Sequence, residues 1–249
     1  MWKVPQISKI FDDFESIIED ALASSCPDDI LTRAYFSMIE LLKKFTGTGR
    51  NVVKFSEFFY VMYVKKYLEE KLSDEKLRVK FEEKNTKERR SLFFAFEHNG
   101  KKLILKSDLS VKEAGISRRP DIFVGIQEKE DIIRPIAIFE IKLHQSEKSI
   151  SILIKRFKQI KKSIINKFPE MKENELPCFV WLYLRYEMYL KQDFGRQIKE
   201  FRELSRNNHF VVVNSITQWD ENKYESFFEG GINEILEKIV GKIRASNHF

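Results

Sequence analysis

Residues 118–143 read RRPDIFVGIQEKEDIIRPIAIFEIKL, and the rest of the fold is built around this stretch. The segment IFVGIQ (122–127) is rich in β-formers, KEDIIR is a charged turn, and PIAIFEIKL (135–143) is a second β-prone run. Two strands joined by a short turn are expected to pair antiparallel. Two acids interrupt their apolar pattern. Asp121 opens the first strand, Glu140 breaks the run PIAIF-E-I, and Lys142 comes two positions on. Side chains at i and i+2 of a strand share a face, so Glu140 and Lys142 are neighbours while Phe139, Ile141 and Leu143 face the other way. Pairing then brings Asp121 beside the end of the second strand. Asp121, Glu140 and Lys142 are expected to form one patch at the end of a sheet.

Upstream, Ile7, Ile10, Phe11, Phe14, Ile17, Ile18 and Ala21 recur at helical spacing. Pro27-Asp28-Asp29 breaks and re-caps the chain before a second stripe at Leu31, Ala34, Tyr35, Met38, Leu41, Leu42 and Phe45. Gly47 and Gly49 end it. Residues 1–50 thus read as an N-terminal helical hairpin, and a third helix is predicted from Ser56, as N-cap, to about Leu72. Asn99-Gly100 lies between two β-prone runs, the strongest short hairpin signal. Downstream the pattern predicts an amphipathic helix over 149–167, a buried strand CFVWLYL (178–184), a helix over 194–207, a strand HFVVVNSI (209–216) and a closing helix over 224–243. The expected fold class is α/β: a mixed β-sheet flanked by helices over residues 51–249, with the N-terminal helical hairpin added to it.

A chain that is 43% hydrophobic and 33% charged has the means to build a core, which excludes disordered and fibrous classes. Its apolar runs stop at about seven residues, where a membrane span needs roughly 20, so no membrane segment is expected. The opening MWKVPQISKIFDDFES turns acidic too early for a secretory signal. Cys26 and Cys178 are too far apart in sequence for a metal knuckle, and a reducing, cytoplasmic compartment is the expectation. The net charge of +6 permits a polyanionic partner, and its distribution must decide.

That distribution is uneven. Between Lys148 and Pro169 seven basic residues occur with no acid, on the helix whose apolar side is Ile150, Leu153, Ile154, Phe157, Ile160, Ile164 and Phe168. Solvated lysine faces usually alternate in sign. A one-sign face directly after the acidic patch suits phosphate neutralisation, with Lys155, Arg156, Lys158 and Lys162 as candidates and Arg118 and Arg119 beside Asp121 adding to them. The patch itself suits a hard cation. Two carboxylates at one spot repel unless a positive charge sits between them. Mg²⁺, with Mn²⁺ as its substitute, binds through one or two carboxylates, lowers the pKa of a bound water and stabilises charge on a phosphodiester. A lysine beside it can orient that water or take its proton, more easily if burial lowers its own pKa.

Pro120-Asp121, with Glu140-Ile141-Lys142 nineteen positions later, resembles the PD-(D/E)XK motif of the restriction-endonuclease-like nucleases. The likeness covers roughly residues 53–216, and residues 1–50 have no counterpart in it. It implies that Asp121 and Glu140 bind the metal with the backbone carbonyl of Ile141, and that Lys142 is the catalytic lysine. It also implies that a glutamate of the preceding helix joins them, with Glu57 the candidate. A helix-dipole role for Glu57 is the alternative. The activity expected is Mg²⁺-dependent hydrolysis of nucleic acid, as a DNA endonuclease, with a homodimer the common arrangement. Its rival is a non-catalytic DNA-binding protein that keeps the nuclease fold.

Overall fold

The computed structural model describes residues 4–46, 49–86, 91–143, 147–186, 209–216, 224–228 and 231–246, with single positions at 196, 199, 200 and 203. Three helices open the chain: α1 (Val4–Ala23), α2 (Pro27–Thr46) and α3 (Gly49–Leu72). The strands β1 (Glu82–Glu83), β2 (Leu92–His98), β3 (Lys101–Ser107), β4 (Ile122–Lys129) and β5 (Ile132–Leu143) come after them. Next come α4 (Glu147–Lys167), β6 (Cys178–Tyr186), β7 (His209–Ile216), β8 (Tyr224–Phe228) and α5 (Ile232–Ala245). The eight strands form one mixed sheet in chain order. Pairing is antiparallel from β1 to β5, parallel through β5, β6 and β7, and antiparallel again at β8. The α/β architecture and the N-terminal helices match the sequence expectation. Among the described residues no helix is long and apolar enough to cross a membrane.

Three boundaries differ from those expected. The third helix starts at Gly49, so Ser56 lies inside it and not at its N-cap position. The turn between β4 and β5 is confined to Glu130 and Asp131, because Ile132, Ile133 and Arg134 pair with β4. Ile133, which is buried, and the half-buried Ile132 bring β-branched surface that a charged reading of KEDIIR overlooks. The closing helix does not begin at Tyr224: YESFF is strand β8, paired with β7, and the helix starts at Ile232 after Gly231. Three aromatics in five residues favour the strand, and Gly230-Gly231 separates the two elements. The helix expected over 194–207 lies outside the described residues except at the single positions named above.

One turn and one bulge rest on glycine for definite reasons. Asn99 and Gly100 have φ of 50° and 74°, the left-handed pair that a two-residue hairpin requires, and they close β2 onto β3. Gly125 sits at a register shift between β4 and β5. A Cβ there would lie 2.7 Å from the Phe123 ring and 2.9 Å from the Arg134 carbonyl oxygen. Gly125→Ala is therefore expected to destabilise the fold by about 1–3 kcal/mol, read as a lower urea midpoint at unchanged slope. An unshifted midpoint would show that the bulge accommodates the methyl group.

Strand periodicity divides the sheet into two apolar faces. Ile122, Val124, Phe139, Ile141, Val180 and Leu182 point to one side, where α1, α2, α3 and α5 cover them. Phe14 and Ile18 of α1 and Leu31 and Tyr35 of α2 belong to that same buried cluster, so the N-terminal helices share the core of the sheet. On the other side Phe123, Ile138, Phe179 and Trp181 pack under α4 and under Val111, Ala114 and Ile116. The apolar stripe read from α4 is the stripe that is buried: Ile150, Leu153, Ile154, Phe157, Ile160 and Ile164. Glu140 alternates with Ile138 and so belongs to this second side. It is the one charged residue there, among those described, that is wholly enclosed, at 0% exposure.

Candidate active site

Main-chain pairing puts Asp121 in place. Its N–H donates to the Phe139 carbonyl at 3.1 Å, and the Asp108 N–H donates to the Pro120 carbonyl just before it at 3.1 Å. β4 therefore begins directly opposite the middle of β5. From there Asp121 Oδ2 accepts the Ile141 N–H at 2.6 Å and a proton of Lys142 Nζ at 2.8 Å. Lys142 Nζ also lies 2.8 Å from Glu140 Oε2 and 3.1 Å from the Ile141 carbonyl oxygen, to which it donates. The two carboxylates are thus no farther apart than twice the shorter of these distances. The patch expected from the hairpin exists.

A second cation completes it. Arg156, from the middle of α4, meets Glu140 with both arms of its fork: Nη1 donates to Oε2 at 2.9 Å, and Nη2 stands 2.9 Å from Oε1. Nη2 also donates to the Arg119 carbonyl, which joins the helix to the backbone leading into Asp121. The sequence puts Arg156 on the solvated phosphate-binding face, and the structure corrects that placement. It lies three residues after Leu153 and four before Ile160, both buried, so its side chain starts at the edge of the apolar stripe. That spacing is the available signal. Lys155, Lys158 and Lys162 do remain exposed, spaced as a row along the helix. Lys158 pairs with Glu200 at 2.5 Å, whereas Lys155 and Lys162 have no ion-pair partner among the described residues. Arg118 and Arg119 are exposed on the segment entering β4.

The charges in this cluster perturb one another. Burial, reinforced by the charge of Asp121, pushes the Glu140 carboxyl up to about 7, against the opposing pull of Lys142 and Arg156. Burial alone would lower the ammonium of Lys142, but Asp121 and Glu140 outweigh it and hold Lys142 above the usual lysine range. The lowered pKa that would ease proton removal by this lysine is therefore not found. With two carboxylates and a peptide carbonyl around it, the Lys142 ammonium holds its proton firmly.

The donors fit a hard cation. Aspartate, glutamate and a peptide carbonyl are oxygen ligands of the kind Mg²⁺ and Mn²⁺ take. The Lys142 ammonium already touches all three, so a positive charge sits among the oxygens that the motif assigns to a metal. Among the described residues no three His, Cys, Asp or Glu side chains come together as a metal cluster. Glu57 accordingly does not join Asp121 and Glu140. It belongs to α3, the helix that covers the opposite side of the sheet. Both cysteines are free, Cys26 exposed and Cys178 buried, and neither is among these donors. Comparison with family models, with curated proteins and with solved structures gives no match for this chain.

Proposed function

We propose that this chain is a metal-dependent nuclease of the PD-(D/E)XK type, hydrolysing phosphodiester bonds of DNA on a restriction-endonuclease-like core. The observation that carries the reading is the convergence of Asp121 Oδ2, Glu140 Oε2 and the Ile141 carbonyl on one cationic group at 2.8–3.1 Å. An antiparallel hairpin, then a helix and a parallel strand, surround them. Asp121, Glu140 and Ile141 would hold Mg²⁺ or Mn²⁺. The ion would supply a water of lowered pKa and a counter-charge for the phosphodiester. Asp121 is oriented for this by the Ile141 N–H, which fixes one of its oxygens. Lys142 brings a proton on Nζ and a positive charge to where negative charge grows on the phosphate. The row Lys155, Lys158 and Lys162, with Arg118 and Arg119, would meet backbone phosphates, a contact that weakens as salt rises.

The test is cleavage of supercoiled plasmid and of single-stranded DNA with Mg²⁺ or Mn²⁺, by the wild-type chain, Asp121→Asn and Glu140→Gln. Cutting by the wild type, stopped by EDTA and reduced about a hundred-fold or more in both variants, is the expected result. Equal cutting by wild type and variants would remove the reading. A second reading has an observation of its own. Two acids and two bases are paired with one another here, so the charges of the cluster are matched without a metal. DNA retention without cleavage at any metal concentration would favour that reading, a DNA-binding protein that keeps the nuclease core.

A further inference from the structure

Glu140 is held between two cations. Its buried carboxylate faces Lys142 on Oε2 and the Arg156 fork on both oxygens. The guanidinium donates to Oε2 and stands 2.9 Å from Oε1, an oxygen that is itself buried with no hydrogen-bond partner, and its charge repels a divalent ion. Arg156 has a further peculiarity: its Nε is buried with no hydrogen-bond partner, so the guanidinium is not fully satisfied where it sits. Its other anchor, the Arg119 carbonyl, belongs to the exposed segment that carries Arg118 and Arg119. The group holding Glu140 is thereby fastened to the edge of the site from which phosphate would arrive.

We infer that Arg156 is the latch of the metal site: it occupies Glu140 in the metal-free protein and must give it up for a divalent cation to bind. This rests on the proposed metal-binding role of Asp121 and Glu140. With Arg156 in place and all four side chains ionised, their charges cancel. Without it the site is anionic by one unit and Glu140 has lost its competitor. Removing Arg156 should therefore strengthen metal binding. An arginine that merely held Glu140 in position for the ion would give the opposite result. Lysine at 156 keeps the charge but loses the fork, and should fall between.

The measurement is Mn²⁺ titration by calorimetry of the full chain as wild type, Arg156→Gln, Arg156→Lys and Glu140→Gln, without nucleic acid. Thermal melts of each confirm that it is folded. Arg156→Gln is expected to bind Mn²⁺ about ten-fold more tightly than wild type, the worth of a charge-assisted hydrogen bond, with Arg156→Lys between them and Glu140→Gln weakest. Terbium luminescence gives a second readout, since Trp181 is paired with Glu140 across β5 and β6 and can sensitise a bound lanthanide. Arg156→Gln binding no more tightly than wild type, while Glu140→Gln binds less, would overturn the latch and leave the metal site standing. Binding by none of the four would overturn both.

Discussion

Lys142→Ala is expected to lose about a thousand-fold in metal-dependent DNA cleavage while binding Mn²⁺ at least as tightly as the wild type. Separation of the two effects is the informative part. In the metal-free chain the ammonium sits on Asp121, Glu140 and the Ile141 carbonyl, all within 3.1 Å. An incoming ion must share or displace it, so its removal leaves the oxygens more available. The alanine variant also lacks a proton donor that two acids hold above the ordinary lysine range. The substitution strips the common partner from two carboxylates, one of them fully buried. Stability without metal should fall by about 3 kcal/mol, part of which Mn²⁺ restores by binding the folded state. Plasmid nicking in a single-turnover assay, with melting curves in EDTA and in Mn²⁺, reads all three effects. Undiminished cleavage by Lys142→Ala would rule out a catalytic role for this lysine. A melting point lowered equally in EDTA and Mn²⁺ would show that the ion binds elsewhere.

The sequence shows this site clearly because strands alternate. Once 122–127 and 135–143 are strands of one hairpin, the period of two fixes which side Glu140 and Lys142 face, and pairing fixes the place of Asp121. Arg156 is harder to place. A helix offers a graded boundary between buried and exposed, and a long flexible side chain at that boundary can turn either way. Only the partner decides, and Glu140 comes from an element that sequence alone does not set beneath α4. Glu57 fails for a related reason. It lies on a helix next to the hairpin in sequence, but α3 packs on the side of the sheet away from Glu140. The strand at Tyr224–Phe228 reads as helix in the sequence because its aromatics fit either period over five residues. Long-range capping is invisible there altogether: Asp28 reads as the start of α2, and its more consequential contact is 204 positions away.

That contact carries the second large effect, on stability. Gly231 precedes α5 and has no side chain with which to cap it. Both carboxylate oxygens of Asp28 accept the Ile232 N–H instead, at 3.2 and 3.0 Å, so one acid serves the N-termini of α2 and α5. The fit is close, since a Cβ on residue 231 would lie 3.0 Å from Asp28 Oδ2. Asp28 is only 5% exposed, and its burial pushes the carboxyl from an ordinary 3.8 up to about 6, against the pull of the Ile232 hydrogen bond. A raised acid favours the folded state in its protonated form. The stabilisation is complete below the unfolded value near 3.8 and disappears as pH rises through about 6. Two pH units correspond to about 3 kcal/mol, so the wild-type chain should lose up to that much unfolding free energy between pH 4 and pH 7. Asn at 28 keeps an oxygen for the Ile232 N–H without the charge, and removes this dependence. Glu140 is raised in an overlapping range, so the quantity to follow is the difference between wild type and Asp28→Asn across the series, in EDTA. That difference should move in favour of asparagine as pH increases, whereas Asp28→Ala should lose the cap at every pH, at a cost of about 1 kcal/mol. A wild-type advantage that grows toward neutral pH would mean that the charge of Asp28 at the two helix ends outweighs its burial.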